Sequence, residues 1–131
     1  TIPFLGARRA ALQYPFGDLV RAGATLAAGS DWPVTSPDPI QGIHVAVNRV
    51  LPGGAAEPFL PGQRLDLGTA LAAYTAGSAY VNHLDHHTGT IEVGRTADLA
   101  VLDRDPFDHP AEEIGRAQVL RTYVDGELVH G

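Results

Sequence analysis

The stretch TLAAGSDWPV, Thr25 to Val34, closes a run of small apolar residues on an acid, an indole and a proline. A carboxylate in that position, Asp31, can bind a divalent metal or carry a proton to and from a water. It can equally cap the turn that follows, a role open to Ser30 as well. If the run is a parallel strand, Asp31 stands at its carboxyl end, where ligands gather in α/β proteins. A second group, HLDHH, spaces His83 and His87 as two imidazoles on one helical face would be spaced. It follows a segment that is ending as a helix, precedes Gly89 and lacks the glutamate of an HExxH site, so it reads as a His-rich linker. His44 falls near the apolar face of a helix and reads as a hydrogen-bonded core histidine. Tyr74, Tyr80 and Tyr123 read as core or rim aromatics. No Ser-His-Asp set can be assigned, because AAGSD around Ser30 is not the GxSxG elbow.

The elements that must hold these residues follow from local pattern. In FGDLVRAG, Phe16, Leu19 and Val20 recur at helical spacing and Gly23 is a helix stop. ATLAAGSD then reads as a short buried strand, the second half of an α/β repeat. PVTSPDP is a loop, and Asp38-Pro39 opens a helix with Ile40, Ile43, Val47 and Val50 on one side, ended by Pro52-Gly53-Gly54. LDLGTALAAYTAGSAYVN is an alanine-rich helix with Asp66 as N-cap and Leu67, Leu71, Tyr74 and Ser78 on one face. Near residue 88 the period falls to two. GTIEVGRTADLAVLD alternates and turns on Gly94, and QVLRTYVDGELVHG is a hairpin turning on Asp125-Gly126. Between them RDPFDHPAEEIG is a loop with one helical turn from Ala111 to Ile114.

Bulk composition excludes some functions. The chain has 131 residues and a net charge of −6, and its nine basic residues are scattered, with only Arg8-Arg9 adjacent. Nucleic-acid binding needs clustered cations and is not expected. The absence of cysteine rules out disulfides and thiolate ligands. No apolar run approaches the ~18 residues of a membrane span, and TIPFLGARRA lacks the order of a signal peptide. A cytoplasmic location, with no membrane partner, is the expectation. There is no methionine, so the chain reads as a part of something longer.

Five stretches, in order, resemble the C-terminal end of the amidohydrolase superfamily of metal-dependent hydrolases. They are YPFGDLVRAGATLAAGSDWPV at 14–34, SPDPIQGIHVAVNR at 36–49, LDLGTALAAYTAGSAYV at 65–81, GTIEVGRTADLAVLDRDPF at 89–107 and VLRTYVDGELVHG at 119–131. GSDWPV followed by DP is similar to the amidohydrolase-3 branch, which holds the YtcJ-like and N-substituted formamide deformylase-like proteins. The resemblance implies an α/β chain. Residues 1–88 would be the last strand and helices of a (β/α)8 barrel, and 89–131 the C-terminal strands of a small composite β-sandwich. It also implies a role for Asp31 as the aspartate ending the eighth strand, which binds the metal or activates its water. Trp32 and Pro33 would line the substrate mouth, and Asp98 of the ADL stretch would be structural.

The implied cofactor is a divalent metal, with Zn²⁺ the first candidate. The implied reaction is hydrolysis of a non-peptide C–N amide-type bond in a small molecule by a metal-activated water. Asp31 would act first as base and then as acid. A closed barrel needs ~250 residues, and this chain contains no H-x-H pair. Its expected partner is therefore the N-terminal barrel portion of the same protein. Alone it is expected to be inactive and to leave edges and apolar faces uncovered, above all in residues 1–35; homo-oligomerisation stays open. The alternative is a non-catalytic small α/β interaction module or an inactive truncated homologue.

Overall fold

Helix boundaries follow local chemistry closely. The computed structural model describes residues 2–131. Two single turns, α1 (Ile2–Leu5) and α2 (Ala7–Ala10), lead into α3 (Phe16–Arg21). α3 stops at Gly23, whose φ is +87°. The Gly23 amide donates to the Val20 carbonyl at 2.9 Å and the Ala24 amide to the Leu19 carbonyl at 3.0 Å, the paired bonds of a Schellman motif. α4 (Pro39–Asn48) starts on Asp38, whose carboxylate accepts the Ile40 amide at 2.9 Å. It ends before Pro52-Gly53-Gly54, because Arg49 turns left-handed at φ +59° and breaks the helix first.

α5 (Leu67–Ala72) starts on Asp66, whose carboxylate accepts the Thr69 amide at 2.8 Å and the Thr69 hydroxyl at 2.6 Å. The same helix continues through a π turn, Ala73–Gly77, into α6 (Ser78–Val81). Its fully buried face is Ala70, Ala73, Gly77 and Ala79; Leu67, Leu71, Tyr74 and Ser78 are half-buried. Small side chains face inward here because another backbone lies directly against the helix.

Three strands, β1 (Leu99–Leu102), β2 (Val119–Val124) and β3 (Glu127–His130), form one antiparallel sheet in that order. Leu99 faces Tyr123 and Val124 faces Glu127. The β2–β3 turn has Asp125 at φ +51° and Gly126 at φ +80°, the two left-handed residues that a tight hairpin requires. The Asp98 carboxylate accepts the Asp125 amide at 2.9 Å and the Thr88 hydroxyl at 2.8 Å, so it is a structural clasp between the hairpin and the preceding loop. The alternating stretch before β1 turns at Gly94, φ +92°, but among the described residues Ile91 and Val93 belong to no strand, and both are exposed.

The strand expected over ATLAAGSD, residues 24–31, does not form: 24–30 carry no regular structure and Asp31 opens a turn. A strand exists only through a ladder with a neighbour, and β1 to β3 pair with one another. The segment is held instead by a helix: the Ala28 amide donates to the Ala73 carbonyl at 2.9 Å.

The core gathers Ile40 and Ile43 of α4, Leu65, Ala70 of α5, and Ile114 and Ala117 from the 3-10 helix Ala111–Arg116 and its exit. Val20, Leu26, Tyr74 and Leu102 pack around it. Much apolar surface stays open: Phe4, Trp32, Val34, Leu51, Ile91 and Val93 are all exposed. Among the described residues no helix is long and apolar enough to cross a membrane.

Candidate functional site

Asp31 ends the segment Leu26–Ser30 in the left-handed region, φ +53°, and is exposed. Aspartate is one of the few side chains that enters this region readily. Its carbonyl accepts the Val34 amide at 2.8 Å and closes a turn. The side chain that serves this turn is Ser30, whose Oγ accepts the Trp32 amide at 3.3 Å. The Thr35 hydroxyl donates to the Ser30 carbonyl. Among the described residues nothing donates to the Asp31 carboxylate. Trp32 and Pro33, joined by a cis peptide bond, follow it into solvent, and Trp32 is 61% exposed.

Beside the segment lies a cavity of about 550 Å³. The stretch Leu26–Ser30 forms one wall, and Gln41, Val45 and Arg49 of the α4 side face it with Tyr74. Asp31, Trp32 and Pro33 do not line it. The sequence-predicted site residues therefore stand together in one turn, just outside the concavity.

Two polar groups at this cavity carry no recognisable sequence signal. Arg49 is 9% exposed; its Nε–H donates to the Phe59 carbonyl at 2.9 Å and its guanidinium lies 5.8 Å from the Phe59 ring centre. Its Nη2 is buried without a partner among the described residues, and burial pulls its pKa down. Burial pushes the Tyr74 phenol up. Both depend on a loop and a segment folding back from distant sequence.

The histidines separate into two kinds. His44 is 2% exposed. Its Nδ1 accepts the Gly115 amide at 3.2 Å and lies 3.3 Å from the Asn48 side-chain amide nitrogen. Both neighbours can donate, so Nδ1 is the unprotonated nitrogen. Burial lowers its pKa, with the Glu112 carboxylate acting against that shift. This is a core histidine, as its place on the helix indicated. His83, at φ +59°, lies past the end of α6, and His83, His86 and His87 are exposed on turns. The helical two-imidazole geometry is absent there.

A metal needs several converging ligands. Among the described residues no group of three or more His, Cys, Asp or Glu side chains could hold one.

Residues 1–130 match the family described as the Amidohydrolase family. The chain is 36% identical over 127 residues to Protein LONG AFTER FAR-RED 3 of Arabidopsis thaliana, covering 96% of this chain and 21% of that protein. It is 37% identical over 115 residues to the N-substituted formamide deformylase of Arthrobacter pascens, covering 88% of this chain and 21% of that protein. The crystal structure of an amidohydrolase from Thermotoga maritima MSB8 superimposes with a TM-score of 0.63 at 23% identity, over 88% of this chain and 25% of that one. The chain thus spans about a fifth of the length of these curated relatives.

Proposed function

The chain belongs to the Amidohydrolase family, and from that premise we propose that it is the C-terminal part of a metal-dependent hydrolase of non-peptide C–N amide-type bonds, with Asp31 as its catalytic carboxylate. The observation that carries this reading is the Asp31 side chain itself. It closes a segment held against a helix, in a left-handed turn whose capping is done by Ser30, and among the described residues its carboxylate oxygens accept no hydrogen bond. A carboxylate so disposed is available for proton transfer.

The chemistry assigned to Asp31 is a proton relay. As the water oxygen bonds to the carbonyl carbon, the carboxylate takes the water's proton. As the C–N bond breaks, it delivers that proton to the departing nitrogen. One group can serve twice because the first step loads it for the second. A divalent metal, with Zn²⁺ the first candidate, would supply polarisation of the carbonyl when bound. Of this chain's residues Asp31 is the one that would ligate it, the remaining ligands coming from the rest of a (β/α)8 barrel. Trp32 and Pro33, next in the same turn, would border the substrate mouth.

The division of labour also belongs to this reading. Residues 1–88 would complete the barrel and 89–131 would complete a small β-sandwich. The exposed Phe4, Val34, Leu51, Ile91 and Val93 support a covering partner, and the barrel remainder is the partner proposed. A barrel strand without its neighbours would have no ladder, and the absence of regular structure over 24–30 supports that assignment.

Likeness to the Arthrobacter pascens deformylase makes N-substituted formamides the first substrates to test. Hydrolysis should be measured for the intact protein and for residues 1–131 alone. Turnover by the intact protein only is expected. Turnover by the isolated chain would contradict the shared centre, and inactivity of the intact protein towards a panel of formamides and amides would contradict the hydrolase.

A further inference from the structure

Gly77 needs no special backbone geometry. Its φ of −65° and ψ of −43° are ordinary helical values. Glycine inside a helix is about 1 kcal/mol less favourable than alanine, so a reason for it must lie outside the helix. The reason is the Leu26 carbonyl. A Cβ on Gly77 would overlap the Leu26 oxygen and stand 3.1 Å from the Leu26 carbonyl carbon. The backbone of the 24–30 segment presses on the helix where only a hydrogen fits.

A second contact lies two residues further along the segment. The Ala28 amide donates to the Ala73 carbonyl at 2.9 Å. Ala73 begins the π turn that ends at Gly77. A π turn places one more residue in a turn and shifts carbonyls away from their α-helical partners. The acceptor for Ala28 and the gap for Leu26 are thus the two ends of one local irregularity. Among the described residues no strand pairs with this segment, so the two contacts are its backbone anchor. Asp31 follows three residues beyond Ala28.

We propose that Gly77, together with the Ala73 carbonyl, is a positioning element that fixes the Leu26–Ser30 segment and thereby sets where the Asp31 carboxylate stands. This rests on the reading of Asp31 as the catalytic carboxylate. A displacement of about 1 Å in a reacting group can lower turnover by ~10²-fold. A side chain at 77 would force a shift at least as large at Leu26, or push the helix away from it.

The test uses the intact protein with three variants. Gly77→Ala inserts the Cβ. Gly68→Ala, on the same helix, places a Cβ whose nearest neighbour is the Asp66 carboxylate at 3.3 Å and serves as the control. Replacing Ala28 by lactate, its hydroxy-acid analogue, removes the N–H bond to Ala73 and keeps the side chain. Two readouts are taken: amide hydrogen exchange across 26–30, and kcat and KM on an N-substituted formamide. Gly77→Ala and the lactate variant are expected to raise exchange across 26–30 and to lower kcat about tenfold or more with KM within about twofold, while Gly68→Ala changes neither. Unchanged exchange across 26–30 in both test variants would overturn the proposal, as would raised exchange with kcat intact. If Gly77→Ala does not fold, the lactate variant alone decides. If Asp31→Asn retains turnover, the reading of Asp31 fails instead, and the anchoring of 26–30 is still judged by exchange.

Discussion

The buried ring of His44 accepts the backbone amide of Gly115 at 3.2 Å, joining α4 to the 3-10 helix of the C-terminal region. The donor and the acceptor are 71 residues apart in sequence, so this one bond ties the helical half to the β half. Protonation of Nδ1 would remove the acceptor and bury a cation. Burial holds the folded-state pKa of His44 below 6.5. The neutral ring's contribution is therefore complete above about pH 6.5 and is lost as pH falls through the lower folded value. The protection factor of the Gly115 amide should fall on acidification through that window. His44→Leu should leave that amide unpartnered at a cost of about 1–3 kcal/mol and abolish the pH dependence.

The Asp66 carboxylate starts α5 with two bonds to Thr69. Asp66→Ala should lower stability by about 1 kcal/mol, the usual loss for an N-cap, read from the midpoint of chemical denaturation. Those bonds also hold the Asp66 carboxyl below its ordinary range.

Gly42 of α4 lies against the Tyr74 ring, where a Cβ would overlap the phenol oxygen. Gly42→Ala should destabilise by about 1–3 kcal/mol through overpacking, despite alanine's better helix propensity. In a Tyr74→Phe background the loss should be smaller, because the nearest overlapping atom is gone. A double-mutant cycle measures the difference; zero coupling would contradict the contact.

The Asp98 clasp gives a pH signature at the other end of the scale. The Asp125 amide, and then the Thr88 hydroxyl, hold its carboxyl below the ordinary value of 3.8. Its contribution is present above pH 3.8 and lost as pH falls through the lower folded value. The Asp125 amide chemical shift should move only in that acid range, and Asp98→Ala should remove the movement.

What the sequence revealed divides along a physical line. Asp38, Asp66, Gly23 and Asp125-Gly126 act within a few residues of themselves, so their caps and turns were legible. The strand expected over ATLAAGSD does not form, because a ladder needs neighbours that no local pattern supplies. The end of α4 was missed because Arg49 turns left-handed to reach Phe59, a contact set by the loop's return. The periodicity places Leu67, Leu71 and Tyr74 on one face, and they pack against the core; the fully buried positions beside them are small because the backbone at Leu26 and Ala28 presses there, which periodicity does not show. The turn at Asp31 is legible, as a polar stop after a run of small apolar residues. The cavity beside it is not, since its walls come from distant segments.

The most direct measurement is the turnover of Asp31→Asn in the intact protein, on a formamide that the unaltered protein hydrolyses. The substitution keeps the shape of the side chain and removes its capacity to carry a proton. A fall in kcat of ~10²-fold or more is expected with the melting temperature unchanged. A variant that turns over at nearly the original rate would contradict the role proposed for Asp31.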